Sequence, residues 1–103
     1  MPRGLAYPTE LGQVIEHVLP HLVPDVVVLR YDIGNDWSGE PALFFRIVLS
    51  DAAARKDRLR DVTTRVTNTL LQSVDPIQKW GLIPYFSFRS QSEQAKLKDP
   101  AWA

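Results

Sequence analysis

No cysteine occurs anywhere in this chain. Disulfides, thiolate nucleophiles and cysteine-based zinc or iron–sulfur centres are therefore excluded. Net charge is missing as well, because twelve Lys and Arg residues cancel twelve Asp and Glu residues. A dedicated DNA binder carries a basic excess to neutralise phosphates, so that class is disfavoured, while a local basic patch is not. Weak net repulsion also makes self-association easier. Apolar runs are strand-sized, far below the ~20 residues of a membrane-spanning helix. Met1 to Tyr7 holds one Arg and no apolar run of signal-peptide length. A cytoplasmic protein with no membrane partner is expected. Glycine-rich phosphate loops and a serine nucleophile elbow are also lacking. Gly34 and Gly39 are spaced for a turn, not for a pyrophosphate. The sequence implies no cofactor and no catalytic set.

What the chain does have is 103 residues, of which 45% are hydrophobic. That suits one ordinary folded domain, which buries roughly two-thirds of the surface its unfolded chain exposes. The expected organisation is a tail over 1–8, a single domain over 9–98 and a second tail over 99–103.

Leu11, Val14, Ile15, Val18, Leu19 and Leu22 recur at helical spacing, and Pro20 and Pro24 should end that helix. Asp25 to Ile33 and Ala42 to Leu49 read as strands around a turn-forming cluster, Gly34 to Pro41, which predicts an antiparallel hairpin. Ser50 reads as the cap of a long helix from about Asp51 to Val74, with Leu59, Val62, Val66 and Leu70 as its apolar stripe. Leu82 to Arg89 is a third strand. Ser90 and Glu93 match a capping box that opens a short helix, Gln91 to Lys98.

This order predicts an α+β fold, a two-layer αββαβ(α) sandwich. Two helices pack on one face of a three-stranded, mainly antiparallel sheet, with a right-handed crossover after the second strand. The same order of elements occurs in type II KH-like domains, in the N-terminal domain of ribosome maturation factors and in the cytoplasmic domain of cation-efflux transporters. The resemblance is one of topology, since the G-x-x-G of the KH loop has no counterpart here.

Alternation along the strands separates two faces. Val27, Leu29, Tyr31, Ile33, Leu43, Phe45, Ile47, Leu49, Leu82, Phe86 and Phe88 make apolar rows that belong under the helices. The far face keeps Arg30, Arg46 and Arg89 with Phe44, Tyr85 and several aliphatic residues. A solvated sheet face reads Thr, Lys, Glu and Ser. Arginine with aromatics is interface composition.

The candidate interface or ligand-binding residues are thus Arg30, Phe44, Arg46, Tyr85 and Arg89, together with Trp37 at the hairpin tip. Three readings follow. The first is a non-enzymatic binding or assembly module, homodimeric through the far face or accessory to a second bacterial protein. The second is a single-stranded RNA-binding domain in which aromatics stack bases. The third is a metal-dependent enzyme with Asp32, Asp36 and Glu40 as the candidate ligands of a divalent ion. His17 and His21 share a helix flank at i, i+4 spacing but lack a third ligand nearby. Arg55, Lys56, Arg58, Arg60 and Arg65 are interleaved with Asp51, Asp57 and Asp61, as on a solvated helix face.

Overall fold

The computed structural model describes the backbone of residues 3–102 and the side chains of residues 9–102. Its elements are α1 (Arg3–Val18), β1 (Val26–Asn35), β2 (Pro41–Leu49), α2 (Leu59–Val74), β3 (Ile83–Ser90) and α3 (Gln91–Leu97), with short helical turns between them. The architecture is α+β, with a three-stranded mixed sheet. β2 lies at the centre, antiparallel to β1 and parallel to β3.

The helical spacing read from the sequence is what buries α1 and α2. Leu11, Ile15 and Val18 of α1 meet Val62, Val66, Leu70 and Val74 of α2 and the β2 row Leu43, Phe45, Ile47 and Leu49 in one core. α1 gives way to a 3₁₀ turn, Leu19–His21, at Pro20. At its other end it begins at Arg3, earlier than the expected start near Thr9, so Tyr7 and Pro8 lie within it. Residues 1, 2 and 103 of the expected tails fall outside the described residues. Gly12 lets α1 approach β1 closely, since a Cβ there would come within 3.1 Å of the Tyr31 hydroxyl.

Two further expectations are corrected. The first concerns β1. Its register with β2 shifts between Val26 and Val28, so that Val26 faces Leu49 and Val28 faces Val48. This is a β-bulge, in which two residues of one strand oppose one of the other. Val26, not Val27, therefore enters the core, at 1% exposure, and Val27 is extruded to 41%. Leu29, Tyr31 and Ile33 follow the expected parity opposite Ile47, Phe45 and Leu43.

The second concerns α2, which starts at Leu59, eight residues later than Asp51. Residues 51–58 run as turns. Ser50 does cap one turn, its Oγ accepting from the Ala53 amide at 3.1 Å. Helix propensity then yields to tertiary partners. Ala53 is tucked fully into the core. The Asp51 carboxylate turns away to accept from the Ser92 amide at 3.0 Å and the Ser92 hydroxyl at 2.7 Å. Arg58 reaches back to Asp25 at 3.3 Å.

α3 forms as its capping box implied. The Glu93 amide donates to Ser90 Oγ at 3.1 Å, and the Ser90 amide donates to Glu93 Oε1 at 3.0 Å. After it, Pro100–Trp102 forms a 3₁₀ turn that buries Trp102 to 7% exposure.

Asp25 is the one buried charged residue among the described residues, at 8% exposure. Its carboxylate accepts from the guanidinium groups of both Arg58 and Arg65, and its carbonyl accepts from the Ser50 amide at 2.8 Å. It therefore joins the entry of β1, the exit of β2 and the start of α2. The Arg58 and Arg65 side chains keep 44% and 47% of their exposure. They regain water when the carboxylate is removed, which limits the loss. Asp25→Ala is expected to lower stability by about 1–2 kcal/mol in urea titrations, less than a fully buried pair would cost. A change under about 0.5 kcal/mol, the size of an ordinary surface substitution, would show that the clamp contributes nothing.

Candidate functional site

The far face is built from the outward rows of three strands, and the register sets every neighbour. Arg30 lies opposite Arg46, and Arg46 opposite Ser87. Asp32 lies opposite Phe44, and Phe44 opposite Tyr85. Val28 lies opposite Val48, and Val48 opposite Arg89. Two arginines placed directly across an antiparallel pair repel. The offset is local, because the Arg46 guanidinium donates to the carboxylate of Asp32, its diagonal neighbour. The Arg46 side chain is 27% exposed, against 63% for Asp32.

The five-residue hairpin loop, Asp36 to Glu40, is organised by one carboxylate. Asp36 Oδ1 accepts from the Ser38 amide at 2.9 Å, the Ser38 hydroxyl at 2.6 Å and the Glu40 amide at 3.0 Å. This is the Asx-turn habit of aspartate, which closes a loop on its own backbone. Gly39 supplies the left-handed residue the turn needs, at φ 86°. The other oxygen, Oδ2, accepts from the Tyr85 hydroxyl of β3 at 2.7 Å. The loop is thereby pinned across the sheet, above the far face.

That pin assembles an aromatic set. Phe44 and Tyr85 stack with ring centroids 5.3 Å apart and planes 17° from parallel. Trp37 meets Tyr85 edge-on, at 5.5 Å and 61°. Trp37 nevertheless remains 86% exposed, a large apolar ring held in place with most of its surface in water. Ile83, 36% exposed, lies beyond it opposite Ala42.

The opposite end of the same face is closed by the chain itself. Trp102 sits under Arg89, whose guanidinium carbon is 4.2 Å from the indole centroid. Arg89 also donates to Gln94 at 3.1 Å and to Asp99 at 3.4 Å. Val48 beneath is 2% exposed. Arg89 is thus engaged by α3 and the following turn, and the open patch narrows to Arg30, Phe44, Arg46, Tyr85 and Trp37. Alternation along β3 placed Arg89 on this face correctly, but nothing in the local pattern signalled that Trp102 returns to cover it.

The candidate metal ligands Asp32, Asp36 and Glu40 are not gathered. Asp32 serves Arg46, Asp36 serves the loop and Tyr85, and Glu40 contributes its backbone. Among the described residues, no three His, Asp or Glu side chains are grouped to hold a metal ion. His17 and His21 are both exposed, one at the end of α1 and one in the 3₁₀ turn. The basic cluster is partly committed to the fold, since Arg58 and Arg65 bind Asp25 and Arg55 pairs with Asp57 at 3.2 Å. Away from the open patch, a cleft of about 510 Å³ between α2 and β3 is lined by Leu59, Phe88, Lys56 and Arg60, among others. No helix in the described residues is long and apolar enough to cross a membrane. No family model, curated protein or solved structure matches this chain.

The hydrogen bonds at the loop displace two titrations. The Ser38 hydroxyl first, then the Tyr85 hydroxyl, with lesser help from the Glu40 and Ser38 amides, lower the Asp36 carboxyl from 3.8 to about 2 against the opposing effect of burial. Tyr85 is raised above its ordinary 10.0 because its proton is held by Asp36, with burial and the Asp36 charge acting in the same direction. The Asp36 contribution to stability is therefore complete above pH 3.8 and is lost as pH falls through about 2. The Tyr85 contribution is complete below pH 10.0 and is lost as pH rises past the raised value. Ser38→Ala should move Asp36 back toward 3.8 further than Tyr85→Phe does, read by carboxyl NMR titration. An Asp36 that titrates at its ordinary value in the unmodified protein would mean the loop is not closed in this way.

Proposed function

We propose that this chain is a non-enzymatic binding and assembly module that pairs with a second copy of itself through the open end of the far sheet face. The observation that carries the reading is Trp37, 86% exposed yet packed edge-on against Tyr85, which stacks on Phe44. Trp, Tyr and Arg are the residue types that dominate binding energy at protein interfaces. A ring already held by its neighbours loses less conformational entropy on docking than a free one. Arg46 brings its own counter-charge in Asp32, which lessens the penalty of burying it. The same surface suits a second protein that offers carboxylates or carbonyls to Arg30 and Arg46 around an apolar centre.

Single-stranded RNA is the second reading, favoured by the exposure of Trp37 next to the Phe44–Tyr85 stack. Bases stack on such rings with little regard to sequence. Against it stand the zero net charge and the engagement of Arg46 and Arg89 by Asp32 and Asp99. RNA binding would weaken steeply with added salt, whereas an aromatic-centred protein contact would not.

Sedimentation equilibrium tests the proposal. Trp37→Ala is expected to weaken self-association by about 30-fold, the effect of losing a hot-spot residue of roughly 2 kcal/mol. Arg46→Ala should weaken it more than Arg55→Ala, whose exposed side chain pairs with Asp57 in the β2–α2 connection. Equal dissociation constants for the two arginine variants, or a strict monomer at every concentration, would place the working surface elsewhere.

A further inference from the structure

The sheet has two outer edges, and they are not equivalent. β3 carries Pro84, which has no N–H to offer a neighbour, and α3 follows directly at its end. β1 contains neither Pro nor Lys over its ten residues. Among the described residues no strand pairs with its outer side. An edge strand of that length leaves a row of N–H and C=O groups available to another strand, and proteins usually blunt such edges. The bulge at Val27 blunts only the first part of β1. From Val28 to Asn35 the strand is regular, and its pairing with β2 shows no further shift.

Within that regular run the side chains form a self-complementary series, Leu29-Arg30-Tyr31-Asp32-Ile33. We infer that the outer edge of β1 is a pairing site for β1 of a second copy, antiparallel about a two-fold axis at Tyr31. In that register Arg30 of each copy stands opposite Asp32 of the other on the far face. Leu29 stands opposite Ile33 on the helix side, and Tyr31 stands opposite itself. Val28 meets Gly34 at the limits, so the pairing uses the regular run up to Gly34 and stops short of the bulge. Arg30 and Asp32 are both exposed, and Ile33 is 38% exposed on the side that α1 and α2 leave partly uncovered. Opposite charges directly across a strand pair stabilise it, and a slip by one residue would place every side chain against the wrong face. The same two charges that discourage unrelated strands thus select this one.

The contact makes a continuous six-stranded sheet, with both aromatic sets on the same side. It shares Arg30 and Asp32 with the far-face patch but none of its aromatic rings, and its test is chosen to keep the two contacts apart. Ile33 points to the helix side, so Ile33→Lys disturbs the edge without touching Trp37, Phe44 or Tyr85. The experiment is sedimentation equilibrium at high micromolar concentration in a Trp37→Ala background, where the far-face contact is weakened about 30-fold. The Trp37→Ala protein should still form a dimer, and adding Ile33→Lys should abolish it. Arg30→Asp or Asp32→Arg alone should weaken that dimer about tenfold, and the two together should restore it, because the exchanged charges face each other again. Isotope-filtered NMR on mixed labelled and unlabelled Trp37→Ala protein should show contacts between Leu29 and Ile33 of different copies. A Trp37→Ala protein that is strictly monomeric overturns the edge contact and leaves the far-face reading standing. A dimer indifferent to Ile33→Lys, or a charge exchange that fails to restore association in a protein with unchanged circular dichroism, also overturns it.

Discussion

β2 is paired along both sides, and its register with β1 is shifted only once, at Val27. On that register depends which side chains of β1 are buried and which meet water. Side chains alternate with a period of two, so one inserted residue exchanges the faces of everything beyond it. With the bulge in place, Val26 seals the core beside Leu49, and Leu29 and Tyr31 stay under the helices. The outward rows then align as Arg30 with Arg46 and Asp32 with Phe44. The repulsion of the first pair and its relief through Asp32 follow from that alignment. So does the approach of Tyr85 to Phe44 from the other side of β2.

Three aspartates convert this sheet into a fixed object. Asp25 binds α2 to the strands through Arg58 and Arg65. Asp51 binds the β2–α2 connection to the start of α3. Asp36 closes the hairpin loop and fastens it to Tyr85. Each carboxylate accepts at least two hydrogen bonds and ties its own segment to a distant one, which is how a small domain with short elements holds its connections still. For the proposed function the third matters most. Without it Trp37 would sit at the tip of a free loop, and ordering it on binding would cost conformational entropy. With it, the ring is presented edge-on to Tyr85, which stacks on Phe44, before any partner arrives.

Much of this was legible in the residues. Helical spacing gave the buried faces of α1 and α2 apart from Leu19 and Leu59, which stay 37% and 40% exposed, the turn cluster gave the hairpin, and Ser90 with Glu93 gave the start of α3. Alternation correctly assigned Arg30, Phe44, Arg46 and Tyr85 to one face. The rest was hidden for physical reasons. Val26-Val27-Val28-Leu29 is apolar throughout, so it reads equally well in either parity and cannot reveal a bulge. Asp51 looks like a favourable first-turn residue, and only the position of Ser92 in space draws it away. Asp25 resembles any polar residue before a strand until Arg58 and Arg65, far along the chain, converge on it. The engagement of Arg89 by Trp102 depends on the path of the chain after α3, which carries no periodic signal.

The central claim is that the Trp37–Tyr85–Phe44 set is a working surface and not merely a tolerated exposure of apolar rings. It is tested most directly by following backbone and indole N–H resonances as the protein is concentrated. The account predicts concentration-dependent shifts at Trp37, Phe44, Arg46 and Tyr85, with α2 from Arg60 to Leu71 unchanged. Shifts confined to α2 and the cleft beside it, with the Trp37 indole unmoved, would contradict it.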